Sequence, residues 1–332
     1  MNICVLGGGG FVGTELVRRL VNAGHWVRVP TRSLAHVERL RVLDTAELRV
    51  ANVHQPRVLS QLFADCEAVI NLIGILNEHG RASFATVHAA LAAKVINAAR
   101  GAGVRRVLHM SSLGAAEHAP SRYLRSKAAA EVAVRAVPHP EQPHPAVTIF
   151  RPSVIFGAGD SLTNRFASLL RLSFGVLPLA RARARFAPIC VLDVVEAFVR
   201  ALTQQASVGA TYELCGPEVL TLAEIVRLTA RVAGLPCHIV PVPDVLARLQ
   251  GVVMGCCPAS PSHSITSARS PSTASAARTA ALRSVSPRVR CSRSCRCTSV
   301  RSRCRPDPRR HCAHSRACLS ARGCAASSRA AA

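Results

Sequence analysis

One short stretch constrains the fold more than any other. The apolar run Ile3–Leu6 opens directly onto Gly7-Gly8-Gly9-Gly10-Phe11-Val12-Gly13, and a helical pattern follows. Gly7, Gly10 and Gly13 give the spacing G-x-x-G-x-x-G. A strand that turns at once into a helix around a pyrophosphate needs glycine at three points: the turn, the close backbone approach to the ligand, and the helix–strand contact. The first helical turn then offers its amides and its dipole to phosphate oxygens. The sequence therefore predicts the opening of a βαβ unit, with Gly7, Gly10, Phe11, Val12 and Gly13 lining a dinucleotide.

The pattern after the loop agrees. Strands are expected at Trp26–Val29, Leu48–Val50, Ala68–Leu72, Arg106–His109 and Val147–Phe150. Helices are expected at Val12–Ala23, Pro56–Ala64, Phe84–Gly101 and Ser121–Ala136, with Gly24 and Gly103 just past two helix ends. The strands at 68–72 and 106–109 are unbroken apolar runs, as in a sheet covered on both faces. The expected class is α/β: a Rossmann-type doubly wound parallel sheet with a small C-terminal substrate-side subdomain, followed by a disordered tail. The implied division is 1–150 for the nucleotide domain, 151–254 for the subdomain and 255–332 for the tail. Within 151–254, helices are expected at Leu162–Leu172, Asp193–Gln204, Leu222–Ala233 and Asp244–Met254, with short strands around Ala187–Val191, Thr211–Leu214 and Cys237–Val240.

The strand ends carry the candidate ligand contacts. Dinucleotide sites with an acid after the second strand hold the ribose hydroxyls of NAD; here the residues are Thr31-Arg32-Ser33. Arg32 can pair with a 2′-phosphate, which favours NADP(H) over NAD(H), although a solvated surface arginine fits as well. Asn52, Ile73 and Gly74 follow the third and fourth strands, where they face adenine and ribose or simply form turns. Tyr123 and Lys127 sit at i and i+4 on one helix face, one helix after a strand ending in Ser111-Ser112. An ammonium beside a phenol lowers its pKa, so Tyr123 is a candidate acid/base, with Ser112 as a hydroxyl partner and Ser111 as a cofactor contact.

Taken in order, GGGGFVG, HMSSLGA, YLRSK, FRPSVIFGAGD and FAPICVLDVVEAF resemble the extended or atypical short-chain dehydrogenase/reductase superfamily, the NAD-dependent epimerase/dehydratase-like proteins. INLIGIL, PSRYLRSKA and YELCGPEVLTL are similar to its complex I alpha-subcomplex subunit nine-like branch. The resemblance implies an NAD(P)(H)-binding domain that is accessory to respiratory complex I or to quinone-linked metabolism. It implies that Pro152 and Val154 cross above the nicotinamide, and that Asp193 is an acid of the substrate side; a helix N-cap explains Asp193 equally. The alternative it leaves open is an active oxidoreductase, epimerase or dehydratase on a small or nucleotide-sugar substrate, using Tyr123 and Lys127. Two positions depart from the pattern. Gly9 stands where threonine or alanine is usual, and Leu113 takes the place of the third catalytic hydroxyl, leaving Ser112 adjacent.

Composition matters chiefly at the end. Residues 255–332 hold 15 arginines, no lysine, one acid (Asp307), 9 of the 14 cysteines and no Phe, Tyr or Trp. That segment carries +14 of the formal +24 charge, so the front part is only moderately basic. An arginine-rich arm could meet nucleic-acid phosphates, but nothing specifies such a partner. The spacing of Cys295, Cys297, His311, Cys312, His314 and Cys318 matches no standard zinc site, and no metal is expected. The third reading, which the composition favours, is GC-rich DNA translated out of frame; such a segment buries too little apolar surface to order itself. The amino terminus lacks a signal-peptide pattern, and no run is long enough to span a membrane. A cytoplasmic placement follows by default, with a peripheral position at an inner membrane as the other expectation. The scattered Cys4, Cys66, Cys190, Cys215 and Cys237 read as reduced core residues.

Overall fold

The first strand, β1 (Asn2–Leu6), delivers the glycine loop to the middle of a seven-stranded sheet. The computed structural model describes residues 1–80, 82–136 and 144–242; the helix expected at Asp244–Met254 and the segment 255–332 lie outside the described residues. After β1 come α1 (Phe11–Asn22), β2 (Trp26–Thr31), β3 (Ala46–Val50), α2 (Pro56–Phe63), β4 (Ala68–Asn71), α3 (Leu91–Gly101), β5 (Arg106–Met110), α4 (Arg122–Arg135) and β6 (Ala146–Pro152). The chain continues through β7 (Ile155–Phe156), α5 (Ser161–Leu172), β8 (Val176–Ala180), β9 (Arg185–Phe186), β10 (Ile189–Cys190), α6 (Val191–Thr203), β11 (Thr211–Leu214), β12 (Leu220–Thr221), α7 (Leu222–Ala233) and β13 (His238–Val242).

The sheet order is β11-β6-β5-β4-β1-β2-β3, every pair parallel. The winding direction reverses between β1 and β4. In an open parallel sheet this switch point leaves a crevice at the strands' carboxyl ends, and the glycine loop lies there. Helices cover both faces. Leu16, Val17 and Leu20 of α1 share one core with Val194, Val195 and Phe198 of α6. Leu59 and Phe63 of α2, Val95 and Ile96 of α3 and Val134 of α4 build the other. This double cover explains why β4 is buried at all four positions.

Several elements differ from expectation, each for a local reason. β11 completes the main sheet against β6, and α6 packs on α1, so the sheet draws on both sides of residue 150. β8 was not expected, because Pro178 sits inside it. Among the described residues it pairs with β13 alone, where a missing amide donor is tolerated. A 3-10 helix at Leu34–Leu40 follows β2. The helix expected at Phe84–Gly101 opens with a π stretch, Ala85–Ala90, before α3. The wider turn lets Val87 and His88 point inward together.

Arg106 is buried, and among the described residues no carboxylate pairs with it. Its guanidinium donates to Thr148 Oγ1 (2.7 Å), to the carbonyls of Ala201 (2.8 Å) and Ala146 (3.1 Å), and to Ser207 Oγ. It therefore ties β5 and β6 to the end of α6.

The loop glycines are set by contact as well as by turn geometry. Gly7 has φ +80°, and Gly13 lies on the Gly7 carbonyl and the Gly8 backbone, where a Cβ would come within 2.6 Å of Gly8 Cα. Backbone cannot give way as a flexible side chain can. Gly13→Ala is expected to cost about 2 kcal/mol, or roughly 6 °C in melting temperature, by forcing α1 off the strand. A thermal melt unchanged by the substitution would refute this reading of the contact.

Candidate functional site

The site is assembled at the carboxyl ends of β1, β2, β4 and β5. Gly10 is the N-cap of α1, with no side-chain cap and no acid in the first turn. The first helical amides thus meet no competing side chain of the cap. A Cβ at Gly8 would meet Val29 Cγ1 at 2.8 Å, and one at Gly9 would meet Val37 Cγ1 at 2.5 Å. The departure at Gly9 now has a cause: the 3-10 helix after β2 lays Val37 over the loop and leaves no room for a side chain. On the other flank, a Cβ at Gly7 would touch the Ile73 amide at 3.3 Å, so the backbone after β4 runs against the loop. The Asn71 carboxamide fixes that backbone by accepting from the Ile73 amide at 3.1 Å.

Arg32 is exposed beside the loop after β3; the Ala51 amide donates to the Thr31 carbonyl at 2.9 Å. Asn52 Oδ1 accepts from the His54 amide at 3.1 Å, so that side chain serves its own turn. Burial and the charges of Lys94 and Arg32 hold His54 below the usual histidine pKa.

Tyr123 and Lys127 share a face of α4, as their spacing predicts, and they do different things. The Ser112 hydroxyl lies toward that of Tyr123, and its Oγ donates to the Leu113 carbonyl at 3.5 Å. Burial raises the Tyr123 pKa above the ordinary phenol value, and the Ser112 hydroxyl only partly offsets this. The lowering expected from Lys127 is therefore not what the phenol experiences: desolvation dominates. Lys127 is 3% exposed and donates from Nζ to the Met110 carbonyl at 3.1 Å. A Cβ on Gly74 would lie 3.0 Å from that nitrogen. Burial brings the ammonium down to about 8, with Glu131 pulling the other way.

Ser111 turns away from the site. One step along the strand reverses the side chain, and its hydroxyl donates to Glu131 Oε1 at 2.5 Å. Glu131 also accepts two bonds from the Arg151 guanidinium, at 2.8 and 2.6 Å. Pro152 and Val154 lie where β6 passes into the next segment. The Pro152 carbonyl accepts from the Leu113 amide (2.9 Å), and that of Val154 from the Ile189 amide (2.9 Å). Gly157 packs against Phe11 and Val191, which brings this segment to the start of α1. Asp193 is the third residue of α6, whose N-cap is Cys190; it is a first-turn acid rather than a cap. A side-chain cap is found on α5 instead, where Asp160 accepts from the Thr163 amide at 2.7 Å.

Two histidines complete the site, and neither was singled out in the sequence. His88 accepts at Nε2 from the Ile75 amide (3.0 Å), so its Nδ1 proton faces Ser126 Oγ (2.7 Å). Ser126 in turn donates to the Tyr123 carbonyl at 2.7 Å. The ring also lies edge-on to Tyr123, centroids 5.5 Å apart. His88 thus locks the backbone after β4 to α4. His109 accepts at Nδ1 from Asn71 Nδ2 at 3.3 Å, leaving a buried Nε2 with no partner among the described residues. Burial, followed by the Lys127 charge, holds each histidine down to about 3. A histidine within an otherwise apolar helix, and another in an apolar strand, were the signals available to find them.

A family model described as the NAD dependent epimerase/dehydratase family matches residues 3–215. The chain is 35% identical over 231 residues to NADH dehydrogenase (ubiquinone) 1 alpha subcomplex subunit 9, mitochondrial, of Arabidopsis thaliana, a match covering 68% of this chain and 56% of that protein. It is 33% identical over 244 residues to a ceramide reductase of Caulobacter vibrioides, covering 73% and 74%. Among solved structures it is similar to UDP-glucuronic acid 4-epimerase from Bacillus cereus, in complex with UDP-glucuronic acid and NAD. That match has a TM-score of 0.62 and 17% identity, and covers 81% of this chain and 98% of that one.

Proposed function

The chain belongs to the NAD dependent epimerase/dehydratase family, and on that premise we propose that it binds a nicotinamide dinucleotide as an accessory of respiratory-chain or quinone-linked metabolism. The observation that carries the binding is the loop itself. Gly7, Gly8, Gly9 and Gly13 make a loop packed against its neighbours too tightly for any Cβ, on an uncapped helix at the switch point of the sheet. Gly10, Phe11 and Val12 would meet the pyrophosphate, Ile73 and Gly74 the ribose side, and Lys127 the nicotinamide ribose. Pro152 and Val154 would close over the ring. When bound, the ring supplies a site for hydride exchange. Arg32 tilts the preference toward NADP(H).

The accessory role rests on the Arabidopsis relative and on the state of Tyr123. A phenol held above its ordinary pKa stays protonated at neutral pH and makes a poor base. A cytoplasmic placement, or one against an inner membrane, suits this role, and the ubiquinone link comes from the relative alone.

Specific observations favour a second reading. Ser112 toward the Tyr123 hydroxyl, with Lys127 on the same helix face, forms a proton-handling group, and one relative is named a reductase. There Tyr123 would give its proton to a substrate oxygen and Ser112 would orient it.

The test is extraction of nucleotide from the purified chain, followed by titration with NADPH and NADH. Retained NADPH without turnover on carbonyl, alcohol and nucleotide-sugar substrates supports the accessory role. Turnover lost in Tyr123→Phe supports the enzyme. Arg32→Asp should weaken NADPH about ten-fold relative to NADH; an unchanged ratio removes Arg32 from the reading.

A further inference from the structure

The turn between α5 and β8 carries apolar side chains that the fold does not use. Phe174 is 90% exposed, Leu172 80% and Val176 48%. Phe174 also has φ +49°, a left-handed conformation that a bulky side chain adopts at a cost and that glycine would take freely. The turn is nevertheless fixed. The Ser173 amide donates to the Leu169 carbonyl (2.9 Å), that of Gly175 to Leu170 (2.8 Å) and that of Val176 to Ser173 (3.0 Å). Gly175 is pressed onto Pro236, and its carbonyl accepts from the His238 amide at 2.7 Å. The phenyl ring therefore projects from a rigid tip, with both a conformational and a solvation cost.

The charge around the tip is one-sided. Residues 161–180 and 225–242 contain Arg165, Arg171, Arg227 and Arg231 and no aspartate or glutamate. Arg171 lies in the last turn of α5 and Arg231 in the last turn of α7, whose following residues pack on Gly175. No helix among the described residues is long and apolar enough to cross a membrane. Exposed aromatic and aliphatic side chains beside two helix ends that carry Arg171 and Arg231 fit the boundary between acyl chains and anionic headgroups.

We propose that this tip docks the protein on an anionic lipid surface, with Leu172 and Phe174 entering the headgroup boundary and Arg171 and Arg231 meeting lipid phosphates. This surface is independent of the nucleotide reading. The chain's one tryptophan, Trp26, makes a local test possible in the full-length protein. With Trp26→Phe and Phe174→Trp combined, the new indole reports the tip alone, whatever the basic segment after residue 255 binds.

On phosphatidylcholine–phosphatidylglycerol vesicles its emission should move to the blue and lose about half its intensity to brominated acyl chains. Raised salt should weaken the effect, as should Arg171→Gln with Arg231→Gln, by about ten-fold in partitioning. Three outcomes overturn the proposal: vesicles that pellet the protein while emission at position 174 stays unchanged, equal insertion into phosphatidylcholine alone, or emission already blue before vesicles are added. The last would mean that another part of the chain, or a second copy, covers the tip.

Discussion

Acidification from pH 7 to pH 5 is expected to remove about 4 kcal/mol of folding stability through His88 and His109 alone. Both are 2% exposed, and both have folded pKa values near 3 against an ordinary 6.5. Below 6.5 the unfolded chain takes up protons that the folded chain refuses, so stability falls with pH until the folded values are reached. Each histidine accounts for about 2 kcal/mol of the loss at pH 5. The refusal comes first from burial and then from the Lys127 charge, on rings that already hold a partner: His88 accepts the Ile75 amide at Nε2. His109 accepts Asn71 Nδ2 in the same way. Urea unfolding at pH 7, 6 and 5 measures the effect. His88→Gln with His109→Gln should flatten the profile, and a wild-type profile no steeper than that of the double variant would sink the assignment.

The second large effect runs the other way. Lys127→Met is expected to stabilise the fold by about 2 kcal/mol at pH 7, because the buried ammonium is a standing penalty. Its pKa falls from 10.5 unfolded to about 8 folded. The penalty is present in full below pH 8 and fades as pH rises toward 10.5, so the advantage of the variant should shrink over that window. Methionine keeps the length of the stem and loses the bond to the Met110 carbonyl and the attraction of Glu131, which is why the expected gain is smaller than the full shift implies. The same variant should bind dinucleotide at least ten-fold more weakly if the ammonium holds the ribose. Stability rising while binding falls is the pattern of a group placed for function at the expense of the fold. Melting temperatures and NADPH titrations on one preparation read both quantities, and a variant that is less stable at pH 7 refutes the burial argument.

What could be read in advance followed the range of the interactions involved. The glycine loop was legible because its requirements are local: a turn, a helix start and a packing contact within seven residues. Tyr123 and Lys127 were legible for the same reason, since helical spacing alone puts them on one face. His88 was not, because its role depends on a π stretch and on an amide 13 residues earlier. Ser111 and Ser112 could not be told apart without knowing which way the strand end faced; one bonds Glu131 and the other lies toward Tyr123. Gly9 was legible only as a departure, since Val37 reaches it from a 3-10 helix that the pattern did not announce. Pro178 concealed β8, and with it the turn that presents Phe174.

The bonds made by Arg106 bear on how the chain acquires its shape during synthesis. Two acceptors of its guanidinium, the Ala201 carbonyl and the Ser207 hydroxyl, lie 95 and 101 residues further along. Until they emerge from the ribosome, the β5 cation has only Thr148 and the Ala146 carbonyl to donate to, and water must complete its shell. A nascent chain halted at residue 150 would therefore keep part of that cation facing water, and its remaining bonds would wait for contacts of long sequence separation. The nucleotide cradle, finished in sequence by residue 13, gains its permanent frame only after residue 207 has been made.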